Sequence, residues 1–170
     1  MSKVTLTTEL PVSAELAGAL ARQPAMMTYV LSPVLKVYRL RVPERVTVGT
    51  EGSARFWWFG VAPGWTHHLV VKTLEPTEIY TNEHGGPVHV WNHRLTFEEI
   101  DADRCRYTDQ IEVEDGWRGA PVRLFIRLMF WHRHRRWRQL AGIIGGAGAA
   151  HAVMPVVALQ VANDGDLARS

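Results

Sequence analysis

From residue 34 to residue 114 the sequence carries one strand pattern after another, and at Gly119 the period changes from two to that of a helix. Residues 34–42 alternate β-branched and aromatic side chains with polar ones. Residues 54–61 read Ala-Arg-Phe-Trp-Trp-Phe-Gly-Val, a strongly strand-forming run. Residues 66–74, 78–83, 88–100 and 104–113 continue the pattern. Between them, Pro43 and the stretch 49–52 mark a loop, Pro63-Gly64 and His84-Gly85-Gly86-Pro87 read as turns, and Asp101-Ala102-Asp103 suits a hairpin. Consecutive strands with short connections favour an antiparallel meander over a parallel sheet.

The flanks complete the outline. Val4, Leu6, Thr8 and Leu10 alternate with Thr5, Thr7 and Glu9, which predicts a half-buried first strand ended by Pro11. Ser13 is a good N-cap for a short helix through residues 14–20. Pro24 opens a second, residues 25–31, where its missing N–H costs least, and Ser32-Pro33 closes it. After Gly119, Val122, Phe125, Ile126, Met129, Phe130, Trp137 and Leu140 recur at helical spacing, while Arg123, Arg127, His134 and Arg138 are assigned to another face. This predicts one amphipathic helix over residues 120–140, roughly 30 Å long. A sheet with one apolar face must bury it, and this helix is the only large partner available. A twisted sheet curled around one helix cannot pack flush along its whole length, so a cavity between them is expected.

Composition is that of one globular domain: 170 residues, 46% hydrophobic and 21% charged. Seven tryptophans supply large buried area and candidate pocket walls. The single Cys105 excludes an intrachain disulfide and fits a cytoplasmic setting. The first ten residues read as a strand, not as a targeting segment. A net charge of +2 gives no general affinity for nucleic acid.

Three short motifs carry a family resemblance: Trp91-Asn92-His93-Arg94, Arg106-Tyr107-Thr108-Asp109-Gln110-Ile111-Glu112 and Arg133-His134-Arg135-Arg136-Trp137. Together with the element order they resemble the START and pollen-allergen-like (SRPBCC) superfamily, and within it bacterial polyketide cyclase/dehydrase-like members. The resemblance covers residues 4–141. It implies an α+β helix-grip fold, in which a curved antiparallel sheet of about seven strands wraps a long C-terminal helix, with two short helices after strand one. It also implies an apolar cavity in a domain spanning residues 1–142. Family members bind lipids, sterols, polyketides or quinones, and a minority catalyse reactions. The Gly/Ala-rich tail, residues 143–170, lies outside the family pattern and is expected to be loosely ordered or surface-packed.

Alternation selects candidate site residues. Trp91, His93, Leu95 and Phe97 share a face, as do Tyr107, Asp109, Ile111 and Val113. Both sets are mainly apolar and are expected to face the interior. His93 and Asp109 would then satisfy each other, either as a pair that pins strand register or as a proton-handling pair assisted by Tyr107. Trp57, Phe59, Trp91, His93, Tyr107, Asp109, Ile111, Phe125 and Met129 are the expected ligand contacts. Three readings follow: a non-enzymatic binder of a lipophilic small molecule, a cyclase- or dehydratase-like enzyme, and a membrane-surface or partner-binding module.

Other chemistries lack their signatures. His67 and His68 point to opposite faces, and His89 lies about 13 Å along the strand from His93, so no metal site is expected. Gly145-Gly146-Ala147-Gly148 follows a helix and lacks the lysine of a phosphate loop. There is no Gly-x-Ser-x-Gly elbow, and no cofactor is expected. The basic run 132–138 reads as a solvated face partly paired with Glu98, Glu99, Glu112 and Glu114. Weak membrane-surface contact through Arg133, Arg135, Arg136, Arg138 and the tail is the other reading of that run.

Overall fold

The computed structural model describes residues 2–86, 88–114 and 119–166, with side chains from Lys3 to Gly86, from Val90 to Glu114 and from Gly119 to Gly146. The chain runs β1 (Ser2–Leu10), α1 (Ala14–Ala21), α2 (Pro24–Leu31), β2 (Leu35–Arg41), β3 (Glu51–Trp58), β4 (Ala62–Glu75), β5 (Glu78–Gly85), β6 (Val88–Asp101), β7 (Arg104–Val113) and α3 (Gly119–Asp166). The seven strands form one antiparallel sheet in the order β1-β7-β6-β5-β4-β3-β2. This is the helix-grip arrangement that the alternation and the resemblance imply. β1 and β2 are the two edges, and α1 and α2 carry the chain between them.

Local chemistry explains the short elements. Ser13 caps α1 by accepting the Leu16 N–H at 3.3 Å, and Pro24 occupies the first turn of α2. Strand alternation survives in burial: Trp91, Leu95 and Phe97 on β6 and Cys105, Tyr107, Ile111 and Val113 on β7 are buried. α3 presents Val122, Ile126, Met129, Phe130, Trp137 and Ala141 to the same core. These positions trace a helical stripe across the concave face of the sheet.

Two expectations change. Pro63-Gly64 is not a turn. The β3–β4 reversal falls at residues 59–61, where Phe59 (φ 50°) and Gly60 (φ 75°) adopt left-handed backbone. Pro63 instead pairs with Trp57 inside the ladder, and Thr66 with Arg55. Gly64 and Trp65 therefore oppose the single residue Phe56 in a β-bulge. A Cβ on Gly64 would sit 2.6 Å from the Phe56 carbonyl oxygen, so glycine serves close strand approach there. The bulge turns the Trp65 ring toward Phe56, with centroids 5.4 Å apart.

The second change is the length of α3. The helix does not stop near residue 140 but continues to Asp166. Helical backbone thus continues through the stretch after Gly142, for which a loosely ordered or surface-packed tail is expected. No described helix is long and apolar enough to cross a membrane.

Candidate functional site

The inner face of the sheet carries a polar belt inside an otherwise apolar surface. It begins at His67 on β4, passes Thr81 and Glu83 on β5 and His93 on β6, and ends at Asp109 on β7. Registry sets it out: His67 faces Ala54, Thr81 faces His93, and Glu83 lies between Leu69 and Trp91. Arg133 and His134 of α3 close the belt from above.

Asp109 is the hub. It is fully buried, and its carboxylate accepts from three side chains: His93 Nε2 at 2.7 Å, the Tyr107 hydroxyl at 2.5 Å and His134 Nε2 at 3.0 Å. Arg133 Nε lies 3.4 Å from it and donates to the Tyr107 oxygen at 3.1 Å. Burial alone would raise the Asp109 carboxyl. The Arg133 charge and the hydrogen bonds from His134 and His93 reverse this and hold it well below the usual carboxylate range. Burial also pushes the Tyr107 phenol well above its ordinary value, with the Asp109 charge adding to it, so Tyr107 is a neutral donor here.

Glu83 is a second hub. His67 Nε2 lies 2.7 Å from one carboxylate oxygen, and the other accepts the Thr81 hydroxyl and lies 3.5 Å from His93 Nδ1. Burial would raise this carboxyl, but hydrogen bonds from His67 and His93 hold it far below its ordinary value. The Trp65 indole N–H meets His67 Nδ1 at 3.4 Å. An indole only donates, so Nδ1 accepts and Nε2 carries the proton given to Glu83. His93 differs, because both its ring nitrogens face carboxylates. Burial would lower its pKa, yet Asp109 and then Glu83 raise it above 6.5. His93 and Arg133 thus sit against the two carboxylates, the arrangement needed to hold such charges in a core.

A cavity adjoins the belt. It measures about 90 Å³ and lies between the sheet and α3. Phe56, Trp65, Trp91, Phe125, Met129 and Phe130 form its apolar wall, and His67, Glu83, His93 and Arg133 its polar wall. The Trp91 indole N–H is buried without an acceptor among the described residues. Such a donor costs free energy until an acceptor reaches it. Among the described residues no group of three His, Cys, Asp or Glu side chains could hold a metal ion.

A family model described as a domain of unknown function (DUF8410) matches residues 12–141. The chain belongs to this family. No curated protein is similar in sequence. The DUF8410 fold is shared with solved structures of low identity. Protein CV1439 from Chromobacterium violaceum is 14% identical at a TM-score of 0.69, covering 83% of this chain and 98% of its own. A START superfamily protein from Mycobacterium smegmatis is 16% identical at 0.67, with 84% and 98% covered. The di-domain ARO/CYC BexL of the BE-7585A biosynthetic pathway is 14% identical at 0.64, covering 82% of this chain and 46% of BexL. At these identities the likeness establishes the START-like fold alone.

Within this DUF8410 domain the sequence-derived residues divide. Trp91, His93, Phe125 and Met129 line the cavity. Tyr107, Asp109 and Ile111 are fully buried behind it, so they support the wall instead of forming it. Trp57 and Phe59 lie elsewhere: Trp57 faces the outer side of the sheet against Tyr38, and Phe59 is 65% exposed at the β3–β4 turn. Four successive aromatics, Phe56 to Phe59, hide the parity of this strand, and the inward pair is Phe56 and Trp58.

The sequence reading missed His67, Glu83, Arg133 and His134. Glu83 shares parity with buried Ile79 and Thr81, and that signal was available. Arg133 and His134 fall on the helical stripe between Phe130 and Trp137, so neither belongs to a solvated face. The expected pairing of the basic run with Glu98, Glu99, Glu112 and Glu114 does not form. Arg133 turns inward to Asp109, Arg136 stacks on Tyr29 with its guanidinium 3.9 Å from the ring centre, and Arg138 donates to Thr8. Glu98 pairs with Arg106, and Glu112 with Lys3.

Proposed function

We propose that this domain binds a small, largely apolar molecule carrying at least one hydrogen-bond acceptor, in the cavity between the sheet and α3. The carrying observation is the division of that cavity into an aromatic wall and a polar wall, with Trp91, whose indole N–H is unpaired among the described residues, in its lining. Such pockets combine apolar contact area with a few fixed polar groups that orient the ligand. The present volume suits a ring-sized group, since one water takes roughly 30 Å³ in the liquid. A lipid or polyketide would require Phe125, Met129 and their neighbours on α3 to move away from the sheet. Both START-like proteins and an aromatase/cyclase share the fold, and a lipophilic ligand of either kind is consistent with this lining.

An enzymatic reading rests on one observation, the contact of His93 with the cavity. Its geometry favours a bridging role over that of a general base, because both ring nitrogens already face carboxylates. A base needs a free lone pair within reach of the substrate proton. Binding is therefore the reading the site supports best. Thermal-shift titration against lipophilic carbonyl- and hydroxyl-bearing compounds tests it. The expected result is saturable stabilisation that Trp91→Phe weakens about tenfold through loss of one hydrogen bond. Stabilisation by no compound, or an unchanged response in Trp91→Phe, overturns it.

A further inference from the structure

The outer face of the sheet carries a second concavity, far larger than the inner one. It encloses about 780 Å³ across β2, β3 and β4, and Tyr38, Arg39, Arg41, Arg55, Trp57 and His68 line it. Parity explains most of this. Tyr38 faces Arg55 in the ladder, Lys36 faces Trp57, and Ser53 faces His68, so all these side chains leave the sheet on its outer side.

Arg39 and Arg41 require something more. In a regular strand they would alternate with Tyr38 and point inward. The register shifts here: Tyr38 pairs with Arg55 and Arg41 with Ser53, so Arg39 and Leu40 together oppose Ala54. This β-bulge flips the parity and brings Arg41 to the outer face. It is made by Arg39 in left-handed backbone at φ 49°, a conformation that costs a non-glycine residue free energy. Strained backbone of this kind concentrates at functional positions. The strain here gathers two arginines beside two aromatic rings.

The arginines of this groove also lack ion-pair partners among the described residues. Arg55 donates to Thr66 at 3.2 Å, and no described carboxylate pairs with Arg39, Arg41 or Arg55. Guanidiniums that line one groove repel unless an anion bridges them, and their fork geometry matches phosphate oxygens. The Tyr38 and Trp57 rings, 5.7 Å apart at 66°, give a planar group an apolar edge on which to stack. Along β3 the basic stretch ends at Glu51, which shares the parity of Ser53, Arg55 and Trp57. Three strands span only about 10 Å across. Those limits fit one compact ligand better than a running polynucleotide strand.

We propose that this outer groove binds a phosphorylated molecule with a planar ring, of nucleotide size, independently of the inner cavity. Isothermal titration calorimetry of the full chain with ADP tests it, with adenosine, pyrophosphate and a thymidine oligonucleotide in parallel. The expected result is saturable binding of ADP, at least tenfold tighter than adenosine or pyrophosphate, reduced at least tenfold in Arg41→Gln and in Trp57→Ala. Arg39→Gly should also lose affinity while melting no lower than the wild type, since glycine accepts the bulge conformation without strain. No heat from ADP up to millimolar concentration overturns the proposal. So does wild-type affinity in Arg41→Gln and Arg39→Gly, or oligonucleotide binding more than tenfold tighter than ADP.

Discussion

His93 and Asp109 lie on adjacent strands without facing each other. His93 is opposite Ile111 and Asp109 is opposite Leu95, yet His93 Nε2 reaches Asp109 Oδ1 at 2.7 Å. The contact is a diagonal one, within reach of long side chains across an antiparallel pair. It joins the Glu83 hub to the Asp109 hub, so the belt acts as one network linking four strands to α3.

Removing the hub charge should be costly. Asp109→Asn leaves Arg133 and His93 without their shared counter-charge in a buried setting, and the expected loss is about 3–5 kcal/mol. Urea denaturation reads it directly. A loss below about 1 kcal/mol would mean that the network does not hold these charges.

How much of this was legible in the sequence follows from the same residues. Period-two alternation on β6 and β7 is clean, so the inward positions of His93 and Asp109 could be read before any coordinates. The belt beyond them could not be read in the same way. β4 mixes apolar side chains on both faces around His67, and Phe56 to Phe59 offer no polar residue to mark parity. The bulges at Gly64–Trp65 and at Arg39–Leu40 then reverse parity locally, which no fixed period can show. Arg133 and His134 are hard to read for a different reason. Their charge suggests a solvated face, although their helical spacing places them in the core stripe.

Stability should depend on pH through the same network. The His93 pKa is raised, so its contribution is complete below 6.5 and is lost as pH rises through the raised folded value. Glu83 and Asp109 are depressed, so theirs is complete above the ordinary carboxyl values of 4.5 and 3.8 and is lost as pH falls. Urea midpoints should therefore decline from about pH 6.5 upward. His93→Gln should flatten that limb while leaving the acid limb in place. An unchanged slope above pH 6.5 in His93→Gln would assign the titration to another group.

Cys105 should be inert. It is fully buried, and burial pushes its thiol up to about 11. Labelling by a thiol-reactive disulfide reagent at pH 8 should proceed only at the rate of opening, then accelerate sharply in denaturing urea. Rapid labelling of the folded protein would contradict the packing of β7 against α1.

Filling the cavity should separate binding from folding. Met129 lines the cavity from α3, and Met129→Trp places extra volume there at a cost of about 1–3 kcal/mol. The variant should fold, with its polar belt intact, and lose ligand-dependent thermal stabilisation. Retention of that stabilisation would place the ligand outside the cavity.

The most direct measurement is native mass spectrometry of the protein isolated from its own cells, with Met129→Trp alongside. The account predicts a small-molecule adduct on the wild type, released by denaturation and missing from the variant. A wild-type protein that carries no adduct, or an adduct that Met129→Trp retains, would contradict a ligand seated between the sheet and α3.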